Sequence, residues 1–207
     1  MNSLEITNIV KKSGKYIVFL NNNLSYKFHY EILLKHNLKP RMTISYDSFY
    51  AILNENKLKL CFDQALVYLS IRMHSIYELK QKFYKKGYDK NTIDLTISKC
   101  CDLGFIDDDL FAENYLTELK YRNIGSYKAV QMLKIKGIGK EIAENLVSKL
   151  YNDPDDREVI MKLLERKKRI LSKDLEKNKI KEKLFRYLYT KGFNKTIIYE
   201  QIDKFLK

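Results

Sequence analysis

Basic residues at regular spacing are the part of this sequence with the clearest chemical potential. Along residues 120–141 the only acidic residue is Glu141, and it is accompanied by six basic ones: Lys120, Arg122, Lys128, Lys134, Lys136 and Lys140. Farther on, one helix face would carry three more at i, i+4 and i+7: Lys179, Lys183 and Arg186. Such faces bind phosphate groups, and an ordinary solvated surface has the same composition, so both interpretations stay open.

A second candidate site is the glycine pair Gly137 and Gly139, which flank Ile138. A Gly-apolar-Gly turn between two helices is typical of the helix-hairpin-helix motif, in which backbone N–H groups contact a DNA phosphate. The residue equivalent to Gly139 is Asp89 at one similar turn and Asn194 at another, and both types are good helix N-caps. Phosphate binding and plain capping are therefore both possible here.

The acidic run Asp107, Asp108 and Asp109 has the residue type of a nuclease metal site. Consecutive residues on a helix point in different directions, however, and an acidic first turn is favoured by the helix dipole. No other carboxylate pair stands at a useful spacing. We therefore interpret the run as the start of a helix, and we predict no metal, no cofactor and no catalytic residue.

The histidines and cysteines do not form a reactive set either. The three histidines have no cysteine neighbours, and we predict surface or half-buried positions for them: His29, His36 and His74. The three cysteines are odd in number and lack C-x-x-C spacing, which argues against a disulfide framework or a zinc ribbon. We predict core or near-core thiols: Cys61, Cys100 and Cys101.

Composition restricts the class of protein and of partner. The 207 residues carry 39 Lys and Arg against 26 Asp and Glu, a net charge of +13, which favours a polyanion or an acidic protein as partner. Only 7 Gly and 2 Pro are present, so helices should dominate over a turn-rich β-sandwich. Neither a signal peptide nor an apolar stretch of about 18 residues is seen, and we expect a cytoplasmic protein without membrane contact.

The elements that must position these residues fall into two regions. In residues 1–45, the run Tyr16–Leu20 and the alternation of Leu24, Tyr26 and Phe28 predict a small β-module of two or three strands. A further strand is predicted at 42–45, where Ser45 can also cap a helix. From about residue 62 the pattern predicts nine helices, including one near 62–72 and one near 155–171.

The helical region contains an internal repeat. Residues 86–90, 136–140 and 191–195 share the order Lys, Gly, large apolar residue, small or capping residue, Lys. Glycine can end a helix in the left-handed conformation, and the residue two positions later can cap the next helix, so each segment predicts a tight helix–helix corner. We predict a module plus linking helix at 1–60, then three helical modules at 61–106, 107–153 and 154–207, in an extended, curved array.

Five blocks of this sequence, in this order, resemble the bacterial RecX family of recombination regulators. They are Ala65–Arg72, Ser75–Leu79, Gly104–Asp108 with Phe111, Ala112 and Tyr115, Arg122–Gly125, and Leu133–Ile138. The resemblance extends to the N-terminal β-module and so spans essentially the whole chain. It implies a fold of tandem three-helix modules, in agreement with the repeat.

The same resemblance implies a non-enzymatic regulator that binds RecA filaments on DNA and inhibits strand exchange, ATP hydrolysis and repressor cleavage. The partners would be the RecA filament and single-stranded DNA, and we expect a monomer. We place the contacts at Arg72 and at the nine basic residues named above. Two rival functions stay open: autonomous DNA binding through Gly137–Gly139, and metal-dependent DNA cleavage through Asp107–Asp109. Only the regulator would need RecA for its effect.

Overall fold

The computed structural model describes residues 3–12, 14–169 and 176–207, which form two compact units that meet in sequence at Ile106 and Asp107. The first unit contains strands β1 (Ser3–Lys12), β2 (Lys15–Leu20), β3 (Ser25–Phe28) and β4 (Thr43–Ser45), with helices α1 (Tyr30–Lys35), α2 (Tyr46–Ile71), α3 (Ile76–Lys85) and α4 (Lys90–Asp102). The second contains α5 (Asp108–Tyr121), α6 (Ser126–Ile135), α7 (Lys140–Leu150), α8 (Asp153–Lys168), α9 (Lys177–Lys191) and α10 (Lys195–Phe205). The mainly helical class with an N-terminal β-module is as predicted.

The N-terminal strands form one antiparallel sheet in the order β3-β2-β1-β4. Strand β1 was missed from the sequence because only its first half alternates: Leu4 and Ile6 are buried, whereas the residues after Asn8 are mostly exposed. That second half is held by backbone pairing with β2, which leaves no apolar period to read. The inner face of the sheet packs against α1 and the beginning of α2.

Helix α2 is one continuous helix of 26 residues, whereas the sequence predicted one helix after Ser45 and another from about residue 62. Its buried face changes partner along its length. Phe49 and Leu53 pack against the sheet, and Cys61 and Ala65 pack against α3 and α4. Between them lies buried Asn56, whose side chain bonds Lys27 O and His29 N, both at 2.8 Å. This change of partner interrupts the apolar period.

The remaining helices pack in threes. Beside the α2–α4 cluster, one cluster of buried side chains joins α5, α6 and α7, and another joins α8, α9 and α10. The predicted helix near 155–171 is α8, which begins at Asp153 and ends at Lys168; residues 170–171 of that prediction lie outside the described residues. Ser45 caps α2 as predicted, accepting from Ser48 N.

The predicted helix–helix corners are confirmed. Gly87, Gly137 and Gly192 have φ of +82°, +88° and +88°, a region that residues with a Cβ rarely adopt. At the middle corner Gly137 N donates to Lys134 O (3.0 Å) and Ile138 N donates to Leu133 O (3.1 Å). This pair of hydrogen bonds is the one that ends a helix in a Schellman turn. The apolar residue after each glycine turns inward, and Ile138 is buried among α5–α7.

Two smaller predictions have different outcomes. The cysteines are core or near-core thiols as predicted: Cys61 and Cys100 are buried and Cys101 is half-buried. Burial raises the pKa of the Cys100 thiol to about 11. The histidine prediction holds for His29 and His36 and is wrong for His74, which is buried between α2 and α3, its ring 6.1 Å from that of Tyr68.

Candidate nucleic-acid interface

Lys120, at the end of α5, is drawn into the fold of its unit. Its Nζ donates to Leu150 O at 2.7 Å and lies 3.2 Å from Asp155 Oδ2. It also lies 5.6 Å from the centre of the Tyr151 ring. The ammonium therefore joins the last carbonyls of α7 to the first turn of α8, a structural role that its place in a basic run did not indicate.

Arg72, in the first unit, is likewise paired. Its guanidinium makes two hydrogen bonds to the Glu78 carboxylate, at 2.9 and 3.2 Å, and a third to Met73 O at 2.7 Å. Glu78 also lies in the first turn of α3. Ser75 is the N-cap of this helix, and its side chain accepts a hydrogen bond from Glu78 N. The two-pronged pair closes the connection between α2 and α3 while about half of the Arg72 side chain stays exposed.

The connection between α5 and α6 docks on the third corner. Gly125 N donates to Lys191 O (2.8 Å) and Tyr127 N donates to Gly192 O (3.1 Å), so the corner carbonyls occupy N–H groups at the start of α6. A Cβ on Gly125 would overlap the Gly192 carbonyl and come within 2.6 Å of Phe193 N. Only glycine at position 125 allows the two backbones to come this close. No pattern in the sequence indicates this contact.

This docking gathers positive charge that the sequence had left in separate segments. Lys128 Nζ reaches across to Thr190 O at 2.9 Å, which brings α6 against the end of α9. Burial lowers the pKa of Lys191, and repulsion from Lys128 and Arg122 lowers it further. Lys191 thus lies close enough to both Lys128 and Arg122 to be repelled by them, although Arg122 also pairs with Glu118 at 3.0 Å. Lys191 stood in the corner repeat but was not predicted as a site residue.

The other predicted residues of the middle run lie around the Gly137 corner. Lys134 and Lys140 are exposed, and Lys140 has only a loose ion pair with Glu144 at 3.9 Å. Lys136 is half-buried and its Nζ lies 5.4 Å from the centre of the Tyr115 ring. Gly139 stands at the N-cap position of α7 with φ −57°. Since glycine has no side chain, it makes no side-chain cap bond.

On α9 the predicted face is present. Lys183 and Arg186 line a shallow groove with Lys167, Tyr187 and Thr190, and the cavity volume there is about 430 Å³. Arg186 pairs with Glu182 at 2.7 Å. Lys179, the first residue of the predicted set, approaches Glu176 at 3.8 Å.

The acidic run begins α5 as predicted. Asp107 Oδ1 accepts from Leu110 N at 2.9 Å, and Asp108 and Asp109 lie in the first turn of the helix. Across the described residues, no three His, Cys, Asp or Glu side chains are grouped closely enough to hold a metal ion. None of the helices in these ranges has both the length and the apolar composition needed to cross a bilayer.

Comparison with known proteins gives a consistent result. Residues 61–100 match the family profile "RecX, first three-helix domain", and residues 155–202 match "RecX, third three-helix domain". The regulatory protein RecX of Clostridium tetani is 29% identical over 195 residues, which cover 93% of this chain and 89% of that protein. This chain is similar to RecX proteins over nearly its whole length. The regulatory protein RecX of Caldanaerobacter subterraneus is 27% identical over 205 residues, or 97% of this chain and 98% of that one.

Solved RecX structures share the fold. The crystal structure of RecX from Lactobacillus salivarius has 29% sequence identity and a TM-score of 0.61, covering 72% of this chain and 97% of that chain. A second crystal structure, of a regulatory protein RecX, covers 97% of this chain and 99% of that one with a TM-score of 0.65 and 21% identity. The family resemblance found in the five sequence blocks is thereby confirmed, and the relatives are named regulatory proteins.

Proposed function

We propose that this protein is a non-enzymatic regulator that binds RecA filaments on DNA and inhibits strand exchange, ATP hydrolysis and coprotease activity. Similarity over nearly the whole chain to proteins that are named regulatory proteins is the observation that carries the proposal. The protein would act in the cytoplasm as a monomer, through a small β-module plus linking helix at 1–60 and three helical modules at 61–106, 107–153 and 154–207.

The distribution of charge supports a nucleoprotein target. Several cations of the second unit lie near one another: Arg122, Lys128 and Lys191 around the docked corner, and Lys167 of α8 with Lys183 and Arg186 of α9 in the shallow groove. A surface that gathers cations attracts the phosphates of a filament's DNA or the carboxylates of its protein. Arg72 and Lys120 remain proposed contacts, although each is also bonded within its own unit.

The decisive experiment measures the DNA-dependent ATPase of cognate RecA while this protein is titrated in. We expect the rate to fall in a concentration-dependent way. An unchanged rate at saturating protein would contradict the proposal. Incubating DNA with the protein and magnesium, without RecA, tests for cleavage; binding to DNA with no effect on RecA would instead favour autonomous DNA binding at Gly137–Gly139.

A further inference from the structure

A groove lies between α6 and the corner that joins α9 to α10. Its volume is about 590 Å³, within the range of roughly 300–1,000 Å³ typical of ligand sites. Its walls include Tyr127, Lys128 and Gln131 on α6, and Tyr189, Asn194 and Lys195 from the other side. All of these residues belong to the second unit.

The groove is positively charged. Lys128 and Lys195 line it, and no carboxylate stands among its described lining residues. Lys128 spends one N–H on Thr190 O, and an ammonium has three, so two remain for a ligand. Lys191, which precedes the lining residue Gly192, is close enough to Lys128 and Arg122 to be repelled by their charges. Holding like charges together is unfavourable, and a bound anion would relieve that repulsion.

An exposed aromatic ring stands on the same wall. Tyr127 is 62% exposed, and no ring or cation of the described chain covers its faces. Tyr189, opposite, is stacked on Phe185 with 5.7 Å between ring centres, and Phe185 is stacked on Tyr199 at 4.6 Å. Tyr189 is therefore fixed in place, whereas the ring of Tyr127 is available for a partner. Bases stack on such rings with about 1–3 kcal/mol each, whatever their sequence.

The groove is also preformed. The hydrogen bonds from Gly125 N and Tyr127 N to the corner carbonyls of Lys191 and Gly192 hold its two walls together. A site whose walls are already placed loses little conformational freedom when a ligand binds.

We propose that this groove holds one nucleotide of a single-stranded DNA, with the phosphodiester against Lys128 and Lys195 and the base stacked on Tyr127. This rests on the proposed function, because the same DNA runs through the RecA filament. An acidic peptide would satisfy the charges but would leave the ring of Tyr127 unused, so single-stranded DNA is the better match.

The test uses the full chain without RecA and a labelled oligothymidylate of about fifteen nucleotides, followed by fluorescence anisotropy at several salt concentrations. Replacing Tyr127→Leu should weaken binding about 5- to 150-fold with an unchanged salt slope, while Tyr127→Phe should bind like the parent. Lys195→Gln should reduce the magnitude of the log–log salt slope by roughly 0.7. Tyr77→Leu is the matched control, because Tyr77 is an exposed tyrosine, 47% accessible, on α3 of the other unit.

Several results would overturn the inference: undetectable binding by the parent at low salt, equal affinity of Tyr127→Leu and the parent, competition by polyglutamate as strong as by unlabelled oligothymidylate, or preference for oligouridylate. Thermal unfolding shows whether Tyr127→Leu is folded, and if it is not, the salt slope of Lys195→Gln still tests the groove: a slope equal to that of the parent would contradict the inference. RecA ATPase is measured separately. Tyr127-dependent binding with no effect on RecA would refute the proposed function alone, and inhibition of RecA without that binding would refute the groove alone.

Discussion

His74 shows how a single residue departs from what its surroundings in sequence indicate. It is 4% exposed, its Nδ1 lies 2.9 Å from Arg72 O, and its buried Nε2 has no hydrogen-bond partner among the described residues. A carbonyl only accepts, so Nδ1 carries a proton and donates it to Arg72 O. Burial lowers the pKa of His74, because a charged ring would have to be desolvated.

This histidine predicts a pH dependence of stability. The unfolded chain takes up the proton first, near the ordinary pKa of about 6.5. The contribution of His74 is therefore complete above that pH and is lost as the pH falls below it. We expect His74→Phe to cost about 1 kcal/mol at pH 7.5, for the lost hydrogen bond, and to flatten the fall in Tm between pH 7.5 and 5.5. Parallel slopes for parent and variant would show that His74 does not control this change.

At the scale of the element, the corners are built from local bonds. At the first corner Asp89 caps α4 by accepting from Thr92 N, and at the third Asn194 caps α10 by accepting from Thr196 N. At the middle corner Gly139 takes this position without a side-chain bond. Each corner thus ends one helix with a left-handed glycine and begins the next two residues later, within about six residues of chain.

The middle corner gives a matched pair of substitutions. Gly137→Val forces a β-branched residue to φ +88°, which should destabilise the second unit by about 2 kcal/mol. Gly139→Ser stands two residues away at φ −57°, where an added Cβ meets only Ile142 Cδ1 at 3.9 Å, and it should gain a few tenths of a kcal/mol as a better cap. Thermal unfolding of both variants checks this; equal Tm values would mean that the corner does not depend on Gly137.

At the scale of the whole molecule, the net charge of +13 predicts salt-sensitive binding to a nucleic acid or its RecA filament. The structure separates cations whose replacement changes only the surface charge from cations whose replacement also removes a bond within the fold. Lys120 bonds Leu150 O, so its replacement alters stability as well as charge. Lys134 and Lys140 are exposed, and neither is bonded to another helix by any contact found in the described chain.

The double variant Lys134→Gln/Lys140→Gln therefore tests the middle basic run. If both residues approach phosphates of a single strand, the log–log salt slope should become shallower by about 1.4, twice the roughly 0.7 expected per contact. The control is Lys149→Gln, an exposed position nine residues along α7 from Lys140 and about half a turn around the helix. A double variant with the slope of the parent would identify this run as solvated surface.

Sequence alone determined what depends on neighbours along the chain. The helix–helix corners were predictable because their bonds join residues within about six positions, and glycine and N-cap types state that geometry directly. Most of the helices followed from the apolar pattern, and the family resemblance followed from the order of five blocks. The same reasoning placed Asp107 correctly as a cap.

Tertiary structure alone decided which of these faces meet. Periodicity shows that a helix face is buried but not against what, so the continuity of α2 past Asn56 and the pairing of β1 were not readable from it. The docking of Gly125 on Gly192 joins residues 67 positions apart through backbone atoms, which carry no residue type to recognise. That contact gathers Lys128, Lys191 and Arg122 and forms the groove beside Tyr127, because charges distant in sequence become neighbours only when the helices pack.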